Sequence, residues 1–429
     1  MTSSVLPRFE GSVREFQTDS GGWPRWPIAD QKTSQRLLEV LHSGRWSISG
    51  ANMGCMPMER RWADAFAAWM QVPHCVPTAN GTSALLAALD ALEVGPGDEV
   101  IVPGLTWVAP AIAVVQLNAV PVIVDIDPVT LCIDPDAVER RIGPRTRAIV
   151  VVHLYSSVAD MERINAIAAR HGLAVVEDCA QSHGSEWLRR KVGSLGTIGV
   201  FSFHQGKPLT SGEGGSAVTH DPRLARRMAQ LRANGRLYSS AGFARGTNGL
   251  DEVGEVQGTN MAMSEFHAAL ALDGLEHLDH LNGVREAGAQ FLDLQISSID
   301  GTFAIGRPTA VTRQSYYHYV VRFEPGNFGG MAAPALAAAL SERLSFPWQC
   351  TYAPMNCHLL YRPSVQRRHR LSDEYLHRID PSQCQLPRAE DVYRTTVIAH
   401  HRMLLADRSM LQRIPEALRE IQLGRRTPR

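Results

Sequence analysis

The feature that most restricts the fold is an alternation of short apolar runs with helical patterns, which begins near residue 94. Four of these runs are predicted as buried strands, at residues 99–102, 120–125, 147–154 and 174–177. Amphipathic stretches such as residues 160–171 lie between them and are predicted as helices. Short, continuously apolar strands that alternate with helices are typical of a parallel sheet covered on both faces. The sequence therefore predicts an α/β fold.

Candidate binding residues follow the ends of the predicted strands. Ligands of such sheets bind outside the carboxyl ends of the strands. Trp107 follows the first strand, Asp178 and Gln181 follow the fourth, and Ser202 and Lys207 lie at the end of the next one. No GxGxxG sequence follows a strand, which argues against a dinucleotide site. We therefore expect a site for another ligand at this edge of the sheet.

The segment 199–219, GVFSFHQGKPLTSGEGGSAVT, places a single lysine between two predicted strands. Val200, Phe201 and Phe203 indicate a buried strand, and a glycine-rich turn follows Lys207. A lysine held on a fixed backbone against packed walls can be desolvated. Desolvation lowers the pKa of its amine, as Schiff-base chemistry requires. A surface lysine in a hairpin is the ordinary interpretation of a lone lysine.

A candidate anion site lies just after a short strand predicted at residues 75–78. There Asn80, Gly81, Thr82 and Ser83 open an apolar helix. Free backbone N–H groups at a helix start, together with hydroxyls and a glycine that allows close approach, can bind an anion. An ordinary helix N-cap explains the same residues equally well.

Composition and charge exclude several classes of function. The chain has 429 residues, with 43 Lys+Arg and 43 Asp+Glu, so its formal charge of zero favours neither nucleic acid nor an anionic membrane as a partner. The seven cysteines form no CxxC pair, so neither a metal site nor a disulfide framework is expected, and reduced thiols suit a cytoplasmic protein. No apolar run approaches the ~18 residues of a membrane span, and the N-terminus lacks a signal pattern.

Three parts are predicted along the chain: an N-terminal arm at residues 1–30, a large domain at 31–282 and a small α+β domain at 283–429. A long loop is predicted at residues 236–259, and the short basic tail at 424–429 is expected to be frayed. The other predicted elements are helices at 33–42, 59–70, 223–233, 264–281 and 332–344, a strand at 316–323 and a closing helix at 394–405.

In combination, these motifs resemble the DegT/StrS family of pyridoxal-phosphate (PLP) sugar aminotransferases. The resemblance covers residues 27–410 and rests on SGRWSISG, EDCAQSHG, TYAPMNCHLLYRP and the FSF…K…TSGEGG pattern of segment 199–219. It implies PLP-transferase fold type I, the aspartate aminotransferase-like fold. In that fold a large domain with a mostly parallel seven-stranded sheet precedes a smaller α+β domain. Within the family, the motifs are similar to the L-glutamine:scyllo-inosose aminotransferases of aminocyclitol antibiotic pathways.

The resemblance also implies roles for the residues at the strand ends. Lys207 would hold PLP as a Schiff base and move the proton during amino transfer. Asp178 would face the pyridine nitrogen, where a carboxylate keeps the nitrogen protonated so that the ring can accept electrons. Taken by itself, this aspartate is interpreted equally well as a helix cap. Gln181 would lie beside the pyridine ring and its O3′ oxygen. Trp107 would stack on the PLP face, although a core tryptophan is the ordinary interpretation of that position.

A phosphate site and a subunit interface complete the implied arrangement. Gly81, Thr82 and Ser202 would bind the phosphate, since a backbone amide and two hydroxyls can reach one dianion. Asn260 matches an asparagine that reaches the phosphate of the neighbouring subunit. The resemblance thus implies a homodimer with shared active sites, whose partners are otherwise an amino donor and a keto acceptor.

The acceptor is expected to be a free, uncharged keto-cyclitol such as scyllo-inosose, with L-glutamine or glutamate as donor. Loops 43–58 and 351–358 contain only Arg45 as a cation, and they offer hydroxyls and amides that suit a polyol ring. An acceptor carried on a nucleotide diphosphate is an alternative, and it would call for grouped arginines. A PLP sugar dehydratase and a non-catalytic PLP-fold protein are further alternatives. Lys207 argues against the dehydratase, whose relatives carry histidine there.

Overall fold

The computed structural model describes residues 17–240 and 242–424. The predictions for residues 1–16 of the arm and for residues 425–429 of the tail fall outside the described residues. The strands are β1 (His74–Thr78), β2 (Glu99–Pro103), β3 (Val120–Val124), β4 (Thr146–Val152), β5 (Ala174–Asp178), β6 (Glu186–Trp187), β7 (Arg190–Lys191), β8 (Ile198–Ser202), β9 (Gly215–Thr219), β10 (Arg236–Tyr238), β11 (Leu250–Glu252), β12 (Thr302–Ala304), β13 (Val311–Arg313), β14 (His318–Phe323), β15 (Trp348–Cys350) and β16 (Thr396–His400). The helices are α1 (Gln31–Ser43), α2 (Met58–Met70), α3 (Gly81–Ala91), α4 (Ala109–Gln116), α5 (Pro135–Arg141), α6 (Met161–His171), α7 (Pro222–Leu231), α8 (Glu265–Ile296), α9 (Ala333–Leu344), α10 (Asp373–Arg378), α11 (Pro387–Thr395) and α12 (Arg408–Leu423).

The large domain is built on a seven-stranded sheet in the order β1-β9-β8-β5-β4-β2-β3. The strands from β8 to β3 pair in parallel, and β9 runs antiparallel to both of its neighbours. The central strands are buried on both faces, which explains why they are continuous apolar runs rather than alternating ones. The predicted α/β fold with a mostly parallel sheet is confirmed.

The sheet register brings three strand ends together. Asp178, the last residue of β5, lies opposite Val200 of β8, and Ser202 at the end of β8 lies opposite Gly215 of β9. Gly215 also pairs with Thr78 at the end of β1. A Cβ atom on Gly215 would come within 2.3 Å of the Asn80 carbonyl oxygen, so only glycine lets β9 pass this close to the turn after β1.

The small domain has its own antiparallel sheet, in the order β12-β14-β16-β15, and a second hydrophobic core. The helix predicted at residues 394–405 is wrong: the chain forms β16 and then a 3-10 turn, His401–Leu405. β16 is a central strand with β14 and β15 on either side, and this pairing outweighs the helical spacing of the apolar residues. The predicted loop at 236–259 also contains a short hairpin, β10 with β11.

Helix α8 is longer than its predicted range and passes through residue 282, where the boundary between the two domains is predicted. The domain limits themselves therefore remain predictions. The described part of the arm packs onto the body, since Trp23 is fully buried and its indole N–H donates to the Leu344 carbonyl at 2.8 Å. Among the helices of the described ranges, none has the length and apolar character needed to cross a membrane.

Candidate active site

A cavity of about 740 Å³ lies at the carboxyl ends of β5 and β8, with walls from both domains. Asn80 and the other residues at the start of α3 form one side of it, and Tyr317, Gln349 and His400 belong to the opposite side. Seven of the eight predicted site residues line this cavity: Gly81, Thr82, Trp107, Asp178, Gln181, Ser202 and Lys207. The structure therefore brings together residues that lie far apart in the sequence.

Lys207 is the buried cation of this cavity. It ends a tight turn in which its backbone N–H donates to the His204 carbonyl at 2.8 Å, and only 8% of the residue is exposed. Burial lowers the pKa of the Lys207 amine to about 8, although the nearby Asp178 charge opposes this shift. The Nζ atom lies 4.0 Å from the centre of the Tyr317 ring, which favours the protonated amine. The amine can therefore exchange a proton near neutral pH.

Asp178 is a buried carboxylate of the same cavity, and its charge acts on this amine. It is 6% exposed, and its Oδ1 atom accepts a hydrogen bond of 3.0 Å from the Ala180 N–H. Burial raises the pKa of the Asp178 carboxyl, while this hydrogen bond and the Lys207 charge act in the opposite direction. A buried carboxylate with so few donors is able to bind a further protonated group.

Gln181 is oriented by the backbone of Tyr155. The Tyr155 N–H donates to Gln181 Oε1 at 2.8 Å, which leaves the amide NH₂ group of Gln181 for a ligand. Tyr155 itself has a left-handed backbone with φ of 58°, a conformation that costs free energy in any residue other than glycine. Its hydroxyl accepts a hydrogen bond of 2.7 Å from the Tyr352 N–H. No motif in the sequence indicates this role of Tyr155.

The anion site combines the start of α3 with the end of β8. The side chain of Asn80 caps α3 by accepting from the Ser83 N–H at 2.8 Å. The backbone N–H groups of Gly81 and Thr82 come before Ser83 in the first turn and have no intrahelical acceptor. A Cβ atom on Gly81 would lie 2.7 Å from Ser202 Cβ. Glycine at this position therefore lets the Ser202 hydroxyl approach the helix start, as binding of a phosphate dianion needs.

Trp107 and Asn260 differ in how they relate to the cavity. Trp107 is 46% exposed at the mouth, with its ring centre 5.7 Å from that of Tyr352. A tryptophan so open is not packed as a core residue, and its stacking role remains a prediction.

Asn260 is exposed, forms an isolated bridge with Ala233 and does not line this cavity. The structure thus separates Asn260 from the other seven residues, and its contact with a neighbouring subunit also remains a prediction.

Sequence reasoning missed most of the wall formed by the small domain. Tyr317, His318, Gln349 and His400 all line the cavity. They sit at or beside the ends of β14, β15 and β16, so their common position depends on the pairing of strands that lie far apart in the chain. Of the residues expected from loops 43–58 and 351–358, Tyr352 lines this cavity.

The mostly parallel seven-stranded sheet, the α+β domain packed beside its strand ends and the buried lysine opposite a carboxylate define a fold type I transferase. A family model described as the DegT/DnrJ/EryC1/StrS aminotransferase family matches residues 27–412. The chain belongs to this family, and it is an aminotransferase.

Named relatives and solved structures agree with this assignment. An L-glutamine:2-deoxy-scyllo-inosose aminotransferase of Streptoalloteichus tenebrarius is 46% identical over 93% of this chain and 94% of its own length. An L-glutamine:scyllo-inosose aminotransferase of Streptomyces griseus is 44% identical over the same shares. The structure of 3-amino-5-hydroxybenzoic acid synthase has a TM-score of 0.79 at 28% identity, covering 95% of this chain and all of that one. DesV of S. venezuelae, solved in complex with a ketimine intermediate, has a TM-score of 0.75 at 32% identity, covering 93% of this chain and 99% of its own.

Proposed function

We propose that this protein uses PLP to transfer the amino group of L-glutamine to a keto-cyclitol, 2-deoxy-scyllo-inosose or scyllo-inosose. The observation that carries this proposal is the identity of 44–46%, over 93% of the chain, to aminotransferases with those donors and acceptors in their names. The complete set of polar groups around Lys207 and Asp178 argues against a protein that has lost its catalytic site.

The cavity has the groups that PLP requires. The start of α3 with Ser202 suits a phosphate, and the contact that a Cβ on Gly81 would make with Ser202 indicates a cradle kept open for it. Asp178 suits a protonated pyridine nitrogen, the NH₂ group of Gln181 suits an oxygen on the ring, and Lys207 suits an aldehyde. When bound, PLP supplies a conjugated ring that accepts the electron pair released at the substrate carbon.

The protein's own groups then carry the proton and hold the charges. Lys207, with a pKa of about 8, can take a proton from a substrate carbon and return it to another position near neutral pH. Asp178 supplies the fixed negative charge opposite, in a site where burial strengthens electrostatic interactions. The aromatic rings of Tyr317 and Tyr352 line the cavity and limit the space left for water.

The charge of the cavity favours an uncharged acceptor. Within the described residues, Lys207 is the only lysine or arginine that lines it. Burial lowers the pKa of His318 well below its usual value and that of His400 to about 4, so both rings are neutral at physiological pH. A nucleotide-linked sugar would bring a diphosphate, which usually binds to grouped arginines. Gln349, His318 and Tyr317 can instead pair with the hydroxyls of a polyol.

A competition experiment tests the acceptor. Purified protein loaded with PLP is given L-glutamine and equal concentrations of scyllo-inosose, 2-deoxy-scyllo-inosose and a 4-keto-6-deoxy nucleotide hexose. We expect kcat/KM for one of the cyclitols to exceed that for the nucleotide sugar by at least about tenfold, which corresponds to ~1.4 kcal/mol. A higher kcat/KM for the nucleotide sugar would reject the acceptor and leave the aminotransferase assignment intact.

We further propose that the enzyme is a homodimer in which Asn260 completes the site of its neighbour. Its exposure and its position outside the cavity of its own chain support this arrangement. Lys207→Ala and Asn260→Ala chains, each inactive alone, are coexpressed. One of the two sites in a hybrid dimer would be intact, so random pairing should restore about a quarter of wild-type activity. Coexpression of Lys207→Ala with the double variant is the control, and equal activity in both mixtures would contradict a shared site.

A further inference from the structure

The turn that carries Lys207 is held from outside the large domain. This lysine turn, residues 204–207, contains two carbonyl groups that accept hydrogen bonds from distant parts of the chain. The Gly206 carbonyl accepts from His400 Nε2 at 2.9 Å and from His401 Nε2 at 3.2 Å. The Gln205 carbonyl accepts from the indole N–H of Trp26, in the arm, at 3.1 Å. The carbonyl of Gly206 belongs to the peptide bond that leads directly into Lys207.

The partners of the two histidines fix which nitrogen carries the proton. A carbonyl can only accept, so Nε2 of both rings must be the N–H donor. His401 Nδ1 accepts from Nε of Arg285 at 3.1 Å, and His400 Nδ1 accepts from the Arg402 backbone N–H at 3.3 Å. Every ring nitrogen is therefore used, and both rings are neutral. Burial also favours the neutral ring, since it lowers the pKa of His401 well below its usual value.

Further contacts hold His401 itself in place. Trp26 packs edge-on against the His401 ring, with centroids 4.7 Å apart, and the Arg285 guanidinium lies 5.0 Å from the centre of the Trp26 ring. Arg285 is fully buried and donates to Asn282 Oδ1 at 3.0 Å. Burial of an arginine charge against a histidine and an amide lowers the stability of the fold. A role of Arg285 at the site would explain why it is present.

We propose that His400 and His401 are positioning residues for amino transfer, which fix the Gly206 carbonyl and thereby the backbone from which Lys207 reaches the cavity. This inference rests on the proposed function, in which Lys207 holds the cofactor and moves the proton. Because both histidines belong to the small domain, they tie the position of the lysine to that domain. A shift of about 1 Å in such a backbone can lower a rate about 100-fold.

His401 is the better position for a test, because it is fully buried and does not line the cavity, so it cannot contact substrate. His401→Leu removes the N–H donor, and His401→Gln keeps one on a side chain of similar reach. We expect His401→Leu to lower kcat at least about tenfold per bound cofactor, with both KM values within about twofold of wild type. His401→Gln should recover most of the rate.

A second measurement uses the enzyme without cofactor. Reductive methylation of Lys207 at different pH values, followed by peptide mass spectrometry, reports the pKa of its amine. Lys32 and Lys191 are the other lysines of the chain and serve as internal references. We expect the midpoint of the pH dependence of Lys207 methylation to lie near the pKa of about 8 in wild type and in His401→Gln. In His401→Leu the midpoint should rise towards the ordinary 10.5, because a released turn lets water reach the amine.

Loss of fold stability alone would lower the melting temperature without moving this midpoint. A His401→Leu protein with the wild-type midpoint and kcat overturns the inference. If that variant does not fold, His401→Phe keeps an aromatic ring against Trp26 and removes the N–H donor to the Gly206 carbonyl, and a wild-type midpoint and kcat there also overturn the inference. Failure of the proposed function is a different result, since it would appear as activity or a borohydride-reducible adduct in Lys207→Ala.

Discussion

Replacement of Lys207 by alanine is expected to abolish turnover and leave a folded protein. In the proposed function, this side chain provides both the amine that binds the cofactor and the group that moves the proton, so its loss removes two contributions at once. We expect kcat to fall by about 10⁴-fold or more. The measurements are kcat with L-glutamine and a keto-cyclitol, and a search for a borohydride-reducible adduct by mass spectrometry.

Lys32→Ala is the matched control for this substitution. Lys32 lies on the surface in an ion pair with Glu276, and its side chain is 52% exposed. Loss of such a pair should change the free energy of unfolding by less than about 1 kcal/mol and leave kcat unchanged. Transaminase activity together with a reducible adduct in Lys207→Ala would show that another residue holds the cofactor.

Replacement of Asp178 by asparagine is expected to keep PLP bound but to lower kcat by about 10²- to 10³-fold, the usual effect of removing a preorganised electrostatic contact. The amide oxygen can still accept from the Ala180 N–H, so the end of β5 should keep its structure. The amide has no charge with which to stabilise a protonated pyridine nitrogen. The measurements are kcat and the amount of cofactor bound per chain.

Asp160→Asn makes the same chemical change at a helix cap. Asp160 caps α6 by accepting from the Arg163 N–H at 3.0 Å, and asparagine is an equally good cap residue. We expect no change in kcat for this control. A near-normal kcat in Asp178→Asn would mean that another carboxylate faces the cofactor.

The sequence predicted the sheet of the large domain well because its strands are buried on both faces. Each then appears as an uninterrupted apolar run, and Asp178 is recognisable as the polar residue that ends β5. The same reasoning failed at β16. There Val397, Ile398 and Leu404 have a spacing that suits a helix, but pairing with β14 and β15 decides the structure. Strand pairing between distant segments has no local signal.

The candidate site was predictable where a motif contains the residue and obscure where only tertiary contacts place it. Gly81 and Lys207 lie in short motifs, and both line the cavity. Tyr155 acts through its backbone N–H and its left-handed conformation, which no side-chain pattern reveals. His400 and His401 are linked to the site by hydrogen bonds to the Gly206 carbonyl, which lies 194 residues before His400 in the sequence.

The separation of the cavity into two walls has a consequence for protein engineering. The wall expected to hold the cofactor belongs to the large domain, and Gln349 stands on the opposite wall, hydrogen-bonded at 3.3 Å to His318. Tyr352 is a poor place for variation, because its ring stacks on that of Tyr155 with centroids 5.4 Å apart, and Tyr155 orients Gln181. Libraries that aim to redirect the enzyme to new cyclic ketones should therefore begin at Gln349, where substitution leaves the residues expected to hold the cofactor unchanged.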